Sequence, residues 1–371
     1  MGATRTFLTT PAQFRDVSRG TPRPHTLKGD DLVRARLTPE TWRLEIMAEG
    51  GCTIDTPLTL EKRNAIDLPA LERLGQRHNR KFLKAMQCLN IPQPLGQGLW
   101  EGVPLREVLK LVGKVNNIRR IYYWGFHNND PKQIFQSSLT YTQVMDAAPG
   151  DLGPLVVYRL NGQPLPLERG GPVRMVIPWS YGFKSIKWLQ RIMLTNEYRA
   201  MDTYATQNND SESYLKTAAY TDSGNENFRT GQPITLTGTV MVGLPGLKRV
   251  EYWLRPDAGT HGRITDDDPA WRTATWRPCT IQPPPRDWGG TLPQGVMPRD
   301  VWGFDPKTGQ PREWPMRYSW ALWTVTIPAM TAGSYEFRVR TVDQNDFAQP
   351  EPRSYAKSGR NDIQYKGLTA V

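Results

Sequence analysis

Near Asn225 the chain changes texture, and that change constrains its fold more than any other feature. Downstream, "ITLTGTVMVG", "LKRVEYWLRP", "ATWRPCTI", "YSWALWTVTIP" and "SYEFRVRTVD" alternate or cluster β-branched and aromatic residues between Gly, Pro and Asp breaks. Side chains of a strand point to opposite faces with period two, so such runs, with almost no helical spacing among them, predict an all-β sandwich. Upstream the pattern is mixed. "LPALERLGQRHN" and "VPLREVLKLVG" carry apolar residues at helical spacing, the second stopping on Gly113. "LTPETWRLEIMAEG", "RKFLKAMQCL", "IRRIYYWGF", "GPVRMVIP" and "GPLVVYRLNGQPL", with its Asn-Gly hairpin turn, predict strands. This half therefore predicts an α+β domain, preceded by an irregular arm of about forty residues rich in Arg, Pro and Thr.

With 371 residues the chain is long enough for about two domains. The polar segment at 206–232 predicts the linker, and the boundary is set at 1–215 and 216–371. Within the second part, the long Pro/Trp-rich stretch 282–315 exceeds a simple turn, which marks it as functional, partner-facing or disordered. "AMQCLNIPQPLGQGLWEGVPL" reads as a strand end carrying Cys88, a Pro/Gly loop, and a Trp-Glu-Gly turn into the next apolar run.

Composition narrows the function classes. A formal charge of +11 predicts affinity for anions. The basic residues are dispersed and no nucleic-acid module is recognisable, so nucleic acid is not the expected partner. No run of 18 uncharged apolar residues occurs, and the N-terminus lacks the succession of an export signal. A soluble protein is expected, cytoplasmic as it stands or periplasmic if a leader was trimmed. The three cysteines lie far apart without CxxC or CxxCH, and nothing in the chain marks a haem or iron–sulfur site.

Cys88 sits where basic residues could lower its pKa, with a glycine-lined loop that would let another body approach. Arg169, Arg174, Lys184 and Lys187 all fall near turns within residues 161–192, a grouping suited to an anion with several acceptor oxygens or, alternatively, to a solvated basic face. Cys52 and Cys279 are expected to be unreactive, and His25 and His78 to be surface or capping residues. "TDDDPAW" lacks calcium-loop spacing and predicts a cap. The 13 tryptophans are expected mainly in core and interface positions.

"GPVRMVIP" followed by "YGFKSIKWLQRI" resembles the signature of the molybdopterin-dependent sulfite oxidase family, in which a G-x-P-x-R strand and a G-x-x-x-x-K-W-L loop hold the pterin phosphate. In the same order, "MQCLN" before "WEGVPLREVL" is similar to the segment whose cysteine thiolate ligates molybdenum, and "GTVMVGLPGLKRVEYWL" with "YEFRVRTVDQNDFAQP" is similar to the family's Ig-like dimerisation domain. The resemblance spans nearly all of the chain after residue 35. It implies a molybdopterin-binding α+β domain followed by an all-β Ig-like sandwich, a molybdopterin cofactor, Cys88 as metal ligand, and a homodimer. It also implies that Arg174, Lys184, Ser185 and Lys187 contact the pterin and its phosphate, with Arg169 in the same basic cluster. His127, Asp130 and Ser138 would touch the pterin or face the metal. Arg19 would reach the cofactor from the N-terminal arm, and Tyr204, whose spacing fits better than that of Tyr198, would stand near the metal.

Two departures from the family pattern bear on the substrate. Where sulfite oxidases read C-A-G-N-R-R, this chain reads Cys88-Leu89-Asn90-Ile91-Pro92-Gln93, without the arginine that would grip a doubly charged oxyanion. The Asp-His-Gly that precedes the G-x-P-x-R strand is here Glu168-Arg169-Gly170. An anion with fewer cationic partners leaves more of its desolvation cost uncompensated, so a less charged substrate than sulfite is expected. The expected reaction is oxygen-atom transfer to or from a small sulfur- or nitrogen-containing molecule, with electrons passed to an external carrier such as a cytochrome or other redox subunit. The rival expectation is a cofactor-free, non-catalytic subunit or binding module on the same fold.

Overall fold

The computed structural model describes the chain except residues 1–5, 149, 205–209, 213, 223–225, 258, 260–263, 265–267, 351–358 and 360. Its first half is built on two sheets. One runs Ile66–Asp67, Arg43–Glu49, Leu189–Thr195, Arg120–Gly125, Gln136–Thr140, with Arg43–Glu49 and Leu189–Thr195 parallel and the other pairs antiparallel. The other runs Gln163–Pro164, Leu155–Leu160, Gly96–Pro104, Arg80–Met86, with Arg174–Val176 also pairing Leu155–Leu160. Both predicted helices form. Leu68–His78 starts where the Asp67 side chain accepts from the Ala70 amide at 2.8 Å, with Pro69 inside the first turn. Leu105–Leu109 tightens into a 3-10 turn, Lys110–Val112, and ends on Gly113 at φ 77, a conformation that favours glycine.

In the second half, Ala218–Thr221, Ile234–Met241, Trp320–Ile327 and Thr280–Ile281 form one sheet. Glu226–Phe228, Tyr365–Ala370, Gly333–Val342, Arg249–Pro256 and Arg277–Pro278 form the other. Leu236, Val240, Val250, Trp323, Phe337 and Val339 fill the space between them. Ile234, Leu236 and Gly238 are buried while Thr235 and Thr237 are exposed, the alternation that the sequence shows.

Three expectations are corrected. The segment expected to be a linker contains the strands Ala218–Thr221 and Glu226–Phe228, and Leu215, Ala218, Ala219 and Tyr220 are buried. A polar segment can contribute strands because pairing uses its backbone and only a few of its side chains need to be apolar. Trp100-Glu101-Gly102 is not a turn. It lies inside Gly96–Pro104, a strand paired on both sides, with an irregularity between Glu101 and Gly102. The glycines nearby admit no foreign body either, because the space over Gly96 is filled by the Phe14 ring of the arm.

The third correction concerns 282–315, which is an ordered stretch whose apolar side chains pack into the core. Trp288, Leu292, Met297, Val301 and Phe304 share one apolar cluster with Phe7, Leu83 and Leu99 of the first half. Trp288 packs edge-on against Phe7 at 4.9 Å, and its carbonyl accepts from the Leu8 amide at 2.8 Å. Trp302 donates from its amide to the Lys81 carbonyl at 2.7 Å and from its indole to the Gly150 carbonyl at 2.8 Å. The Pro/Trp-rich stretch joins the halves, and the tryptophans expected in core and interface positions are there. Of the "TDDDPAW" run, residues 265–267 lie outside the described residues, whereas Asp268 caps the helical turn Ala270–Thr273 through the Ala270 amide at 2.7 Å. Among the described residues, no helix is long and apolar enough to cross a membrane.

Truncating a buried aromatic removes its transfer energy and leaves a cavity, at about 3–5 kcal/mol. Trp288→Ala should therefore lower the unfolding free energy by that order in a denaturant titration. A loss under about 1 kcal/mol would mean that the stretch is not part of the shared core.

Candidate active site

A cavity of about 360 Å³ lies in the first half under the N-terminal arm, and Cys88 lines it. The strand Arg80–Met86 delivers the thiol to this wall. One residue beyond the strand, the Gln87 carbonyl accepts from the Gly182 amide at 2.7 Å, and the Gln87 side-chain amide donates to the carbonyls of Cys88, at 3.1 Å, and Ile91. The loop is thus folded back on itself, leaving Cys88 half-buried.

Cations form the floor. Arg174, on the short strand Arg174–Val176, donates to the carbonyls of Arg169 at 2.8 Å and Ser185 at 2.6 Å and lies over the Trp100 ring. Arg169 donates to the Phe14 carbonyl at 3.1 Å. The Nε atoms of both arginines are buried without a hydrogen-bond partner. Lys187 donates to Asp16 Oδ1 at 3.1 Å, to Ser18 Oγ at 2.5 Å and to the Glu168 carbonyl at 2.7 Å. Burial, with Arg169 beside it, pushes Arg174 down to about 9. Burial and the neighbouring Arg174 push Lys187 down to about 7, against the pull of Asp16. Burial by itself would raise the Asp16 carboxyl, but the Ser18 hydrogen bonds and Lys187 outweigh it and hold the group well below the usual carboxylate range. Asp16 is the only carboxylate hydrogen-bonded to these three cations among the described residues, so the floor is short of negative charge. Two unused buried donors and an excess of cations fit an anionic group with several acceptor oxygens.

The other wall is aromatic. Tyr204 stacks on Phe183 at 5.5 Å and meets Phe135 edge-on at 6.1 Å, and its hydroxyl accepts from Asn90 Nδ2 at 2.5 Å. Arg19 lies over Phe135 and Tyr204, 4.8 and 5.3 Å from the ring centres. His127 also lines the cavity, its Nδ1 3.3 Å from the Gly125 carbonyl. Ser185 lines the floor and accepts from the Ile177 amide through its hydroxyl at 3.1 Å.

The structure thus brings Cys88, Arg19, His127, Arg169, Arg174, Ser185, Lys187 and Tyr204 to one cavity. Three of the predicted residues do not line it. Lys184 is fully buried beneath it, donating to Asp202 Oδ2 at 2.8 Å and to the Ser138 carbonyl at 2.6 Å, and the Ser138 hydroxyl donates to Asp202 Oδ1 at 2.5 Å. Asp130 caps the turn Pro131–Gln133 by accepting from the Lys132 amide at 2.9 Å. A buried carboxylate holds the lysine and serine better than an open pocket would, and an Asp before Pro is a natural turn cap. Tyr198, 71% exposed, stays outside.

His25 is half-buried rather than fully on the surface. Its ring stacks on Trp188, its Nε2 is 3.7 Å from Asp16, and its Nδ1 is buried without a hydrogen-bond partner. His78 stays on the surface beside Glu107. Burial raises the Cys52 thiol, and burial with Glu251 pushes Cys279 up to about 12, which keeps both protonated and weakly nucleophilic.

Sequence reasoning missed Asp16 and Ser18, which lie in an arm read as irregular, and Lys84. Lys84 is fully buried, donating to the carbonyls of Pro178 at 2.7 Å and Ser180 at 3.0 Å, and burial, with Arg174 nearby, pushes it down to about 7. A lysine interrupting the apolar run "FLKAM" was the available signal.

Residues 31–202 match the model of the oxidoreductase molybdopterin binding domain. That span holds Cys88, both floor arginines and Lys187. This segment belongs to the molybdopterin-dependent, sulfite oxidase-like family. Among its relatives, mitochondrial sulfite oxidase of Drosophila melanogaster is 23% identical over 85% of this chain and 52% of that protein. NADPH nitrate reductase of Fusarium oxysporum is 34% identical over 29% of this chain and 11% of that protein. The chain therefore spans about half the length of the fly relative and a small part of the fungal one. In fold it is similar to the sulfane dehydrogenase SoxCD of Paracoccus pantotrophus, with a TM-score of 0.59 at 16% identity over 90% of this chain and 79% of that one.

Two substitutions test how this sulfite oxidase-like site is supported. Removing one partner of a buried ion pair leaves a bare charge at about 3–5 kcal/mol. Lys184→Met should destabilise the protein by that order while Lys184→Met/Asp202→Asn recovers part of the loss, as measured by denaturant unfolding. The second test is pH. Lys84 has a folded pKa near 7 against 10.5 when unfolded, so its burial cost is full below pH 7 and relieved as the pH rises toward 10.5. Stability of the wild type should rise from pH 7 to 9, and in Lys84→Met the rise should be shallower by about 1 kcal/mol per pH unit. Equal slopes would place Lys84 in water.

Proposed function

We propose that the chain is a molybdenum-cofactor oxidoreductase that moves an oxygen atom to or from a small sulfur- or nitrogen-containing substrate and passes electrons to an external carrier. The observation that carries this reading is the meeting, in one cavity, of a half-buried thiol, Cys88, with an under-neutralised floor of Arg169, Arg174 and Lys187. Cys88 would ligate the metal as a soft thiolate. The floor cations and Ser185 would hold the pterin phosphate, the two free Nε donors meeting oxygens there. When bound, the group supplies a metal that changes oxidation state by two electrons. The remaining work belongs to the chain. The aromatic wall of Phe135, Phe183 and Tyr204 limits water, and the Tyr204 hydroxyl and His127 are the groups able to hold or move a proton beside the substrate.

Sulfite is disfavoured as substrate. The position after the cysteine that would carry a gripping arginine belongs to Ile91-Pro92-Gln93, and Ile91 lines the cavity. The domain boundary at 215/216, an Ig-like identity for the β-rich half and a homodimer formed through it belong to the same proposal.

Elemental analysis for molybdenum, with release and fluorescence of the oxidised pterin, should give about one of each per chain from a host that makes the cofactor. Cys88→Ser should keep the fold and much of the pterin but lose turnover with an artificial electron carrier. An active Cys88→Ser protein would remove the ligand role. Wild-type protein without metal and pterin would instead favour a non-catalytic binding module.

A further inference from the structure

The cavity's cations fall into two groups with different surroundings. Arg169, Arg174 and Lys187 are sunk in the floor and tied to carbonyls and Asp16. Arg19 stands at the rim and is exposed. Its guanidinium carbon lies over the rings of both Phe135 and Tyr204, and no hydrogen bond from it reaches an acceptor among the described residues. A cation–π contact engages the charge of a guanidinium without using its N–H donors, which remain for an anion. The wall on which it lies is anchored to the Cys88 loop, because Asn90, two residues on from the thiol, donates to the Tyr204 hydroxyl. Beside it, Phe183 and Ile91 offer apolar surface.

We infer that Arg19 is a substrate-anchoring residue rather than a cofactor ligand, and that the site takes an organic monoanion. One end of such a molecule, a carboxylate or similar group, pairs with Arg19 at the rim. Its apolar body lies along Phe135, Phe183 and Tyr204 and directs the other end inward, toward the Cys88 side. A small inorganic dianion would have one ring-held cation for two charges and nothing to lay against the rings. An organic monoanion matches both the single charge and the apolar wall. Arg15, the other exposed arginine lining the cavity, stacks on no ring among the described residues and is not oriented in this way. This rests on the oxidoreductase reading only for which atom reacts; the recognition itself belongs to the chain.

The test is equilibrium binding, so it does not depend on turnover. Purified full-length protein is titrated calorimetrically with two unreactive probes that differ in charge, 4-(methylsulfonyl)benzoate and methyl phenyl sulfone, and molybdenum and pterin are quantified in every sample. A charge-assisted contact at a partly exposed site should favour the anion about tenfold. Arg19→Gln should abolish that preference with metal and pterin content equal to wild type, Arg19→Lys should restore only part of it, and Arg15→Gln should retain it within about threefold. The inference is overturned if the wild type binds neither probe or binds both equally, if Arg15→Gln loses the preference as fully as Arg19→Gln does, or if Arg19→Gln loses the cofactor. Wild-type protein free of molybdenum would defeat the oxidoreductase reading, while the charge preference would still be read from the same titration.

Discussion

Positive charge held out of water without enough negative charge to balance it is the condition around which the first half is organised. Arg169, Arg174, Lys187 and Lys84 are drawn close together at or beneath one cavity, with a single carboxylate, Asp16, among their hydrogen-bond partners in the described residues. Such an arrangement costs stability, as the depressed values of Lys84, Arg174 and Lys187 register. A fold tolerates it where an anion completes it, or where backbone carbonyls are aimed to share the load. The second device is present: carbonyls of Arg169, Ser185, Pro178, Ser180 and Glu168 take most of the donors, while the Nε atoms of Arg169 and Arg174 are left over.

Holding those carbonyls still requires rigid surroundings. The arm does part of this: Phe14 lies over Gly96 while its carbonyl accepts from Arg169, and Asp16 and Ser18 clasp Lys187. The β-rich half does another part. Trp288 and Phe304 pack into the cluster that contains Leu83 and Leu99, so the strand leading to Cys88 is braced by residues about two hundred positions away in sequence. Beneath the cavity, the Lys184–Asp202 pair fixes the 182–184 turn against Ser138. The residues nearest the proposed chemistry are thus few, and the ones that keep them in place are spread over both halves.

Much of this was legible in the sequence where a local rule applies. Asn161-Gly162 makes its hairpin, Gly113 ends its helix, and the period-two runs after Asn225 form two packed sheets. The clustering of Arg169, Arg174 and Lys187 could be suspected from their spacing around turns. What the local pattern does not show is which partner each of these side chains takes. Lys184 has the same residue type and nearly the same position as Lys187, yet it bonds to Asp202 inside the core instead of facing the cavity. Asp130, expected to touch the pterin or face the metal, caps its own turn and does not line the cavity. The Pro/Trp stretch looked like a free surface because nothing local shows what its tryptophans meet.

The sequence by itself determined the change of fold class along the chain, the strands and turns that carry Cys88 and the basic residues, and the family to which the motifs belong, because these depend on side-chain periodicity, glycine and proline geometry, and short spacings. Tertiary structure alone decided which cations share a cavity and which are neutralised in the core. It also decided that an arm without regular pattern closes over the site, and that Arg19 lies over an aromatic wall. Burial and charge compensation depend on partners beyond local spacing, from 18 positions apart for Lys184 with Asp202 to 155 for Phe14 with Arg169, and no local pattern in the chain records them.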